Sequence, residues 1–296
     1  GELGEILEGI TEEFNASQDD YRVNPSYRGN YTETMTGAIA AFRARQQPHI
    51  LQVFEVGTGT MMAAEGAIYP IHALMEDHGR AFDREAFLPA VVGYYTDTRG
   101  NMLSFPFNSS TPILYLNRDA FDAAGLNGTP ETWEEVVAAS RRLRESEAAR
   151  CGFTTSWPSW VMLENFSAMH DSPLGTRENG FGGLDTELVF DNGLVASLWD
   201  NLKAWQDEGV FRWGGPGPGD DAAPMFYSGE CAMFFGSSAS RAGVLANADF
   251  EVGFAMQPYY AEVEGAPQNS IIGGATLWAL QGHSDEPYEA VAAFFE

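Results

Sequence analysis

The chain has 296 residues, 44% of them hydrophobic and 13% aromatic, which is enough for two ordinary domains with full cores and excludes disorder or low complexity. Against 16 basic residues stand 42 acidic ones, a net charge of −26 that repels nucleic-acid phosphates and anionic lipid and argues against a role on either. No stretch approaches the roughly 20 apolar residues of a membrane helix, and a Gly-Glu-Leu-Gly start without Met fits a processed N-terminus from which a signal peptide is removed.

Leu3, Ile6, Leu7, Ile10 and Phe14 recur at helical spacing and open the chain with an amphipathic helix. An extended run is expected over 21–27, a second helix over 33–45 ending before Pro48, and a buried strand over 50–54. Residues 57–60 form a turn that opens another helix. Two strands are expected over 102–107 and 113–117, separated by the polar segment Asn108-Ser109-Ser110-Thr111-Pro112. A short helix over 119–124 closes on Gly125. Thr129-Pro130-Glu131-Thr132-Trp133 then reads as a helix start, with a threonine cap and acids in the first turn. A strand over 152–155, a tryptophan-containing loop and a helix over 162–169 follow. Leu198, Leu202 and Trp205 share one face of a further helix, and the glycine–proline run 214–219 reads as a surface loop. A strand over 231–235, a helix over 237–246, strands over 250–256 and 271–280 and a last helix from Pro287 complete the order. The alternation is that of an α/β protein, without a repeat of 20–50 residues.

Signatures of nucleotide binding and serine hydrolysis are missing: no glycine-rich dinucleotide turn, no phosphate loop with Gly-Lys-Ser and no Gly-x-Ser-x-Gly elbow. His49, His72, His78, His170 and His283 show no metal spacing, so no metal or cofactor is expected. Carboxylates are so abundant that none stands out as an acid–base pair. Cys151 and Cys231 are too few for a disulfide scaffold or a zinc site; they fit either two small buried hydrophobes or, in an exported protein, one bridge. More informative are aromatic and small polar residues at element ends. Trp157-Pro158-Ser159-Trp160 places two indoles after a strand, either plugging the core or forming a platform for C–H faces or a cation. Ser237-Ser238 opens a helix after a strand, as a cap or as an anion site. Gly273-Gly274 in a strand marks a bulge or a close backbone approach.

Leu116-Asn117-Arg118-Asp119-Ala120-Phe121, followed by Ala124-Gly125-Leu126 and Pro130-Glu131-Thr132-Trp133-Glu134-Glu135, resembles a signature of extracellular solute-binding proteins of the maltose-binding type. Tyr227-Ser228-Gly229-Glu230-Cys231-Ala232-Met233 is similar to a strand opening of the same family. Finer similarity is to its glycerol-3-phosphate-binding members, carried by Tyr27-Arg28-Gly29-Asn30-Tyr31, Leu51 to Thr58, Pro106 to Pro112, Leu163 to Ala168, Ala266-Pro267-Gln268-Asn269 and the run through Gly274-Ala275.

The resemblance implies a two-lobed periplasmic binding protein type II fold with a hinge and an interlobe cleft. Residues 1–108 plus 242–286 would form the N-terminal lobe, and 112–237 plus 287–296 the C-terminal lobe. A first strand would precede Gly1, and a further Tyr and Arg contact to phosphate would follow Glu296. By position, the family's ligand contacts fall on Tyr31, Glu55, Ser110, Trp157, Trp160, Ser237 and Gly274. Glu55, an acceptor hostile to phosphate, would face the polyol hydroxyls. Ser110, Ser237 and the Gly274 N–H would donate to phosphate oxygens, the indoles would wall the carbon skeleton, and Tyr31 can donate or accept. The resemblance also implies a Cys151–Cys231 disulfide in an oxidising periplasm, with a lipid-anchored cell-surface form as the alternative location. The implied activity is binding and delivery to the permease subunits of an ABC importer by a monomer, with no catalysis. The expected ligand is sn-glycerol 3-phosphate; the alternatives are a glycerophosphodiester such as glycerophosphocholine, a neutral sugar, or hydrolysis of a phosphodiester or glycoside.

Overall fold

The computed structural model describes residues 2–64, 66–183, 185–191, 193–215 and 221–296. The stretch 216–219 of the expected glycine–proline surface loop lies outside the described residues. Among the described residues the strands are β1 (Ile50–Phe54), β2 (Ile68–Tyr69), β3 (Phe105–Ser110), β4 (Pro112–Asn117), β5 (Cys151–Thr155), β6 (Phe211–Trp213), β7 (Cys231–Ser237), β8 (Val252–Ala255) and β9 (Gly273–Leu280). They fall into two sheets, each in its own compact unit: Gly1–Ser109 with Gly273–Glu296, and Ser110–Ile272.

The first unit is built on β9. This strand pairs antiparallel with β1, from Ile50 opposite Ala279 to Phe54 opposite Ala275, and with β2; β3 also pairs with it. Seven of its eight positions are buried, so its side chains are apolar or small on both faces. Ile71, Leu74 and Met75 from helix Ile71–Asp77 pack with Leu277, Ala279, Tyr288, Val291 and Phe295 in one cluster. Helix Tyr31–Arg43 starts with a complete capping box: the Asn30 side chain accepts the Glu33 N–H, and the Glu33 carboxylate accepts the Asn30 N–H. That cap fixes where Tyr31 leaves the loop.

The second unit orders its strands β6-β5-β7-β4-β8, with β5 parallel to β6 and β7, and β4 antiparallel to β7 and β8. Central β7 is buried at every position, and Met233 and Phe235 pack with Leu114, Leu116, Trp133, Val136 and Phe153. Helix Trp133–Glu145 is held at its start by the Thr132–Glu135 capping box and buries Trp133, Val136, Val137, Ser140 and Leu143. Cys151 and Cys231 are register partners at the first positions of β5 and β7, with Cα atoms 4.6 Å apart, and form a disulfide.

Unit membership differs from the sequence expectation in two places. Residues 242–272 belong to the second unit, because β8 extends its sheet through β4 and Trp133 N–H donates to Tyr259 O. The last helix, Asp285–Phe295, belongs to the first unit: Tyr288, Val291 and Phe295 complete its core, and Phe294 meets Phe14 edge to face. Smaller differences have local causes. The run 21–27 is extended but forms no strand; the Asn15 side chain pairs with both polar groups of the Val23 backbone instead. The helix expected over 162–169 begins earlier, as a π-helical segment Trp160–Asn165 that continues into Phe166–Met169. The helix expected from Ser237 begins as a short 3-10 turn, Ser238–Ser240, before Arg241–Asn247.

His170 links two segments of the second unit. Its Nδ1 lies 2.7 Å from Phe166 O and its Nε2 accepts the Tyr260 N–H at 2.9 Å, a neutral Nδ1–H tautomer. Burial is the main influence and holds its pKa below the ordinary value, against smaller opposing pulls from the Phe166 carbonyl and the Glu262 charge. The unfolded chain therefore takes up the proton more readily than the folded one, so this contribution to stability is full above about pH 6.5 and is lost as pH falls below it. The thermal midpoint is expected to drop between pH 7 and pH 5, and His170→Gln to flatten that slope; an unchanged slope in the variant would assign the acid sensitivity elsewhere.

Candidate functional site

In the first unit, Tyr31 is half-buried and stacks on Phe54, ring centroids 5.3 Å apart and 9° from parallel. Its hydroxyl accepts from Asn108 Nδ2 at 3.4 Å, while Asn108 Oδ1 accepts from Gln52 Nε2 at 3.2 Å. Burial raises the Tyr31 pKa, the Asn108 bond opposes the rise and the charge of Glu55 adds to it, so the phenol stays neutral at physiological pH. Glu55 opens the 3-10 turn Glu55–Gly57 directly after β1. Its Oε2 accepts the Gly274 N–H at 3.1 Å.

Gly274 adopts φ 120°, and a Cβ there would collide with the carbonyl of Asn108. The close-approach reading of this glycine therefore holds, and the approaching group is β3 of the same unit. The Gly274 N–H, which the resemblance assigns to phosphate, donates in this structure to the Glu55 carboxylate, which it orients. Glu55 and Gly274 thus form one hydrogen-bonded pair, and Tyr31, Asn108 and Gln52 form a second hydrogen-bonded chain in the same unit.

In the second unit, Ser110 ends β3 and leads into Thr111, which is held three times: its N–H donates to Ser238 Oγ at 3.1 Å, its carbonyl accepts the Ser238 N–H at 2.9 Å, and its Oγ1 donates to Ile271 O at 2.9 Å. Ser237 stands opposite Pro112 in the β4–β7 register. Its Oγ accepts the Ala239 N–H at 3.1 Å, its carbonyl accepts the Tyr115 hydroxyl at 2.6 Å, and the side-chain hydroxyl retains a proton to donate. The cap reading of Ser237 is therefore correct, and capping does not consume its donor.

The two indoles differ. Trp157 follows β5 with a left-handed φ of 50°, packs against the core and stays half-exposed. Trp160 is 5% exposed, and its Nε1–H donates to Ile272 O at 3.4 Å. Trp160 is thus chiefly a wall of the core, while Trp157 is only partly buried against it. Segment 271–272 ties the hydroxyl set to the indole set, since Thr111 holds the Ile271 carbonyl and Trp160 the next one. Asn165 secures the same segment, accepting the Ile271 N–H at 3.0 Å and donating to Gln257 Oε1 at 3.3 Å.

Asn108, Gln52 and Thr111 were not singled out from the sequence. The available signals were a glutamine inside an otherwise apolar strand and the polar run 108–111 between two strands. Among the described residues no three His, Cys, Asp or Glu side chains are grouped to hold a metal ion.

Comparison with known proteins places this architecture. The profile of bacterial extracellular solute-binding proteins matches residues 1–296. The chain belongs to that family. It is 46% identical over 298 residues to the sn-glycerol-3-phosphate-binding periplasmic protein UgpB of Rhizobium meliloti (strain 1021), covering 100% of this chain and 68% of that relative. It is 45% identical to the protein of the same name from Brucella abortus (strain 2308), covering 100% of this chain and 67% of that one. Among solved structures, UgpB from Mycobacterium tuberculosis in complex with glycerophosphocholine superposes with a TM-score of 0.81 at 20% identity, over 98% of this chain and 72% of that one. Maltose-bound MalE3 of T. maritima gives 0.79 at 18% identity, over 99% and 73%. The fold is that of the two-domain solute-binding proteins.

Proposed function

We propose that this chain is the ligand-binding component of an ABC importer, taking up sn-glycerol 3-phosphate in the periplasm as a monomer and delivering it to the permease subunits. The observation that carries the reading is the similarity of 44–46% over the whole chain to relatives named for that ligand. The chemistry of the residues within each unit supports it. Glu55, whose Oε2 accepts the Gly274 N–H, is an acceptor suited to glycerol hydroxyls and repels phosphate, with the neutral phenol of Tyr31 beside it. Ser110 and Ser237 are neutral donors suited to phosphate oxygens without a permanent counter-charge. Trp157 offers an apolar face to the carbon skeleton, and Trp160 backs the segment that holds the hydroxyl set. In this role the ligand is bound and delivered with no bond made or broken.

Calorimetric titration tests this with sn-glycerol 3-phosphate, glycerophosphocholine and maltose. The first is expected to bind most tightly. Glu55→Gln and Trp157→Ala are each expected to weaken it at least tenfold, about 1.4 kcal/mol or more. Unchanged affinity in both variants, or binding of maltose alone, would overturn the reading. A second reading, a glycerophosphodiester with a choline head, is favoured by one observation: Trp157 is only partly buried, and an indole is a ring on which a quaternary ammonium can rest. It predicts that Trp157→Ala weakens glycerophosphocholine more than glycerol 3-phosphate. Unaltered ligand after long incubation is the expected outcome of product analysis, and any hydrolysis would contradict a purely binding role.

A further inference from the structure

Glu55 is held at both ends, at its carboxylate and at its main-chain carbonyl. The Gly274 N–H fixes its carboxylate, and the Tyr94 hydroxyl donates to its main-chain carbonyl at 3.1 Å. That carbonyl also accepts the Thr58 N–H that closes the 3-10 turn Glu55–Gly57. The turn is three residues long and its N-cap, Phe54, supplies no side-chain bond, so little within the turn itself sets its rotation. Tyr94, the last residue of helix Pro89–Tyr94, is an external tie on the carbonyl of the residue whose carboxylate matters.

Beside this tie the packing is aromatic and Tyr95 is buried. Tyr94 meets Tyr95 edge to face, centroids 5.1 Å apart. Tyr95 is 1% exposed, and its hydroxyl has no hydrogen-bond partner. Burial first, and the Glu55 charge second, push its pKa upward, so a neutral phenol stands near the carboxylate. A carboxylate near a buried aromatic ring gains from being aimed by fixed donors, because a swing towards that ring would forfeit hydrogen bonds at a desolvation cost.

We propose that Tyr94 is a positioning residue for Glu55 and, through it, a determinant of selectivity for ligands that present adjacent hydroxyl groups. The identity of the ligand rests on the function proposed above; the tie between Tyr94, Glu55 and Gly274 does not. Tyr94→Phe removes one oxygen and keeps the ring, so the thermal midpoint should stay close to wild type.

Two measurements read the proposal. Hydrogen exchange at the Gly274 amide, followed by NMR on the unliganded protein, should accelerate about fivefold in Tyr94→Phe, the effect of loosening one neutral hydrogen bond. Affinity for sn-glycerol 3-phosphate should fall by a similar factor, about fivefold, less for 3-hydroxypropyl phosphate, which lacks the middle hydroxyl, and not at all in a Glu55→Gln background. A Gly274 exchange rate equal to wild type would overturn the proposal, as would an equal loss with and without the Glu55 carboxylate. If the wild-type chain fails to bind glycerol 3-phosphate while Tyr94→Phe still speeds Gly274 exchange, the proposed ligand is wrong and the positioning role stands.

Discussion

Replacing Cys151 and Cys231 together with alanine is expected to destabilise the second unit by about 4 kcal/mol, the chain-entropy value for a bridge that closes a loop of this length. The bridge joins residues 80 positions apart, at the first positions of β5 and β7. The segment it closes contains the π-helical turn Trp160–Asn165, the helix Gly193–Glu208 and strand β6. Cutting it leaves the native packing nearly intact, because both side chains are buried small hydrophobes, at 2% and 0% exposure, that alanine replaces with little loss. The effect therefore acts mainly on the unfolded chain, which regains the freedom of the whole segment. For a unit of this size the loss corresponds to a fall of about 10 °C in the thermal midpoint. Calorimetry of the double variant beside the oxidised wild type checks this, and a midpoint within about 2 °C of wild type would refute the entropic account. Reductant added to the folded protein should act slowly, because the sulfurs are reached only when β5 and β7 open.

What could be read from the sequence, and what could not, divides by the range of the interactions involved. Strand β1 and the helix Trp133–Glu145 were legible because their signals are local: an apolar run before a turn, and a capping threonine followed by acids and an apolar stripe. The strand at β8 was legible for the same reason, but its unit was not. Its partner β4 lies about 135 positions upstream in the register Asn117 opposite Val252, and nothing local says which of two sheets a strand will join. Likewise, the final helix shows an apolar face without showing which core receives it. The π-helical segment from Trp160 ends at Asn165, whose partners, Gln257 and the Ile271 N–H, lie 92 and 106 positions away and are not visible locally. The site follows the same rule. Gly274 was recognisable as a special backbone position, but neither the group approaching it, the Asn108 carbonyl, nor the bond from its N–H to Glu55 was. Resemblance to a family supplies ligand contacts by position; it does not supply the residues that aim them, and here Asn108 and Tyr94 are of that second kind.

Gly274→Ala is expected to lower the stability of the first unit by about 2–4 kcal/mol and to weaken ligand binding more than tenfold. Two costs coincide at this position. A backbone φ of 120° is strained for any residue carrying a Cβ, and the added methyl would collide with the Asn108 carbonyl, which β3 cannot withdraw without loosening its pairing with β9. The relief open to the chain is to shift β9 at its first residues, and that carries the Gly274 N–H away from Glu55 Oε2. Stability and binding should then fall together, unlike Glu55→Gln, which should affect binding far more than the thermal midpoint. Gly37→Ala supplies the contrast within the same unit. It lies in helix Tyr31–Arg43 with nothing within 4 Å of the added methyl, so alanine there should stabilise by up to about 1 kcal/mol. If Gly274→Ala instead melts with the wild type and binds as well, β3 does not demand a glycine at this point, and the orientation of Glu55 must be set by other groups.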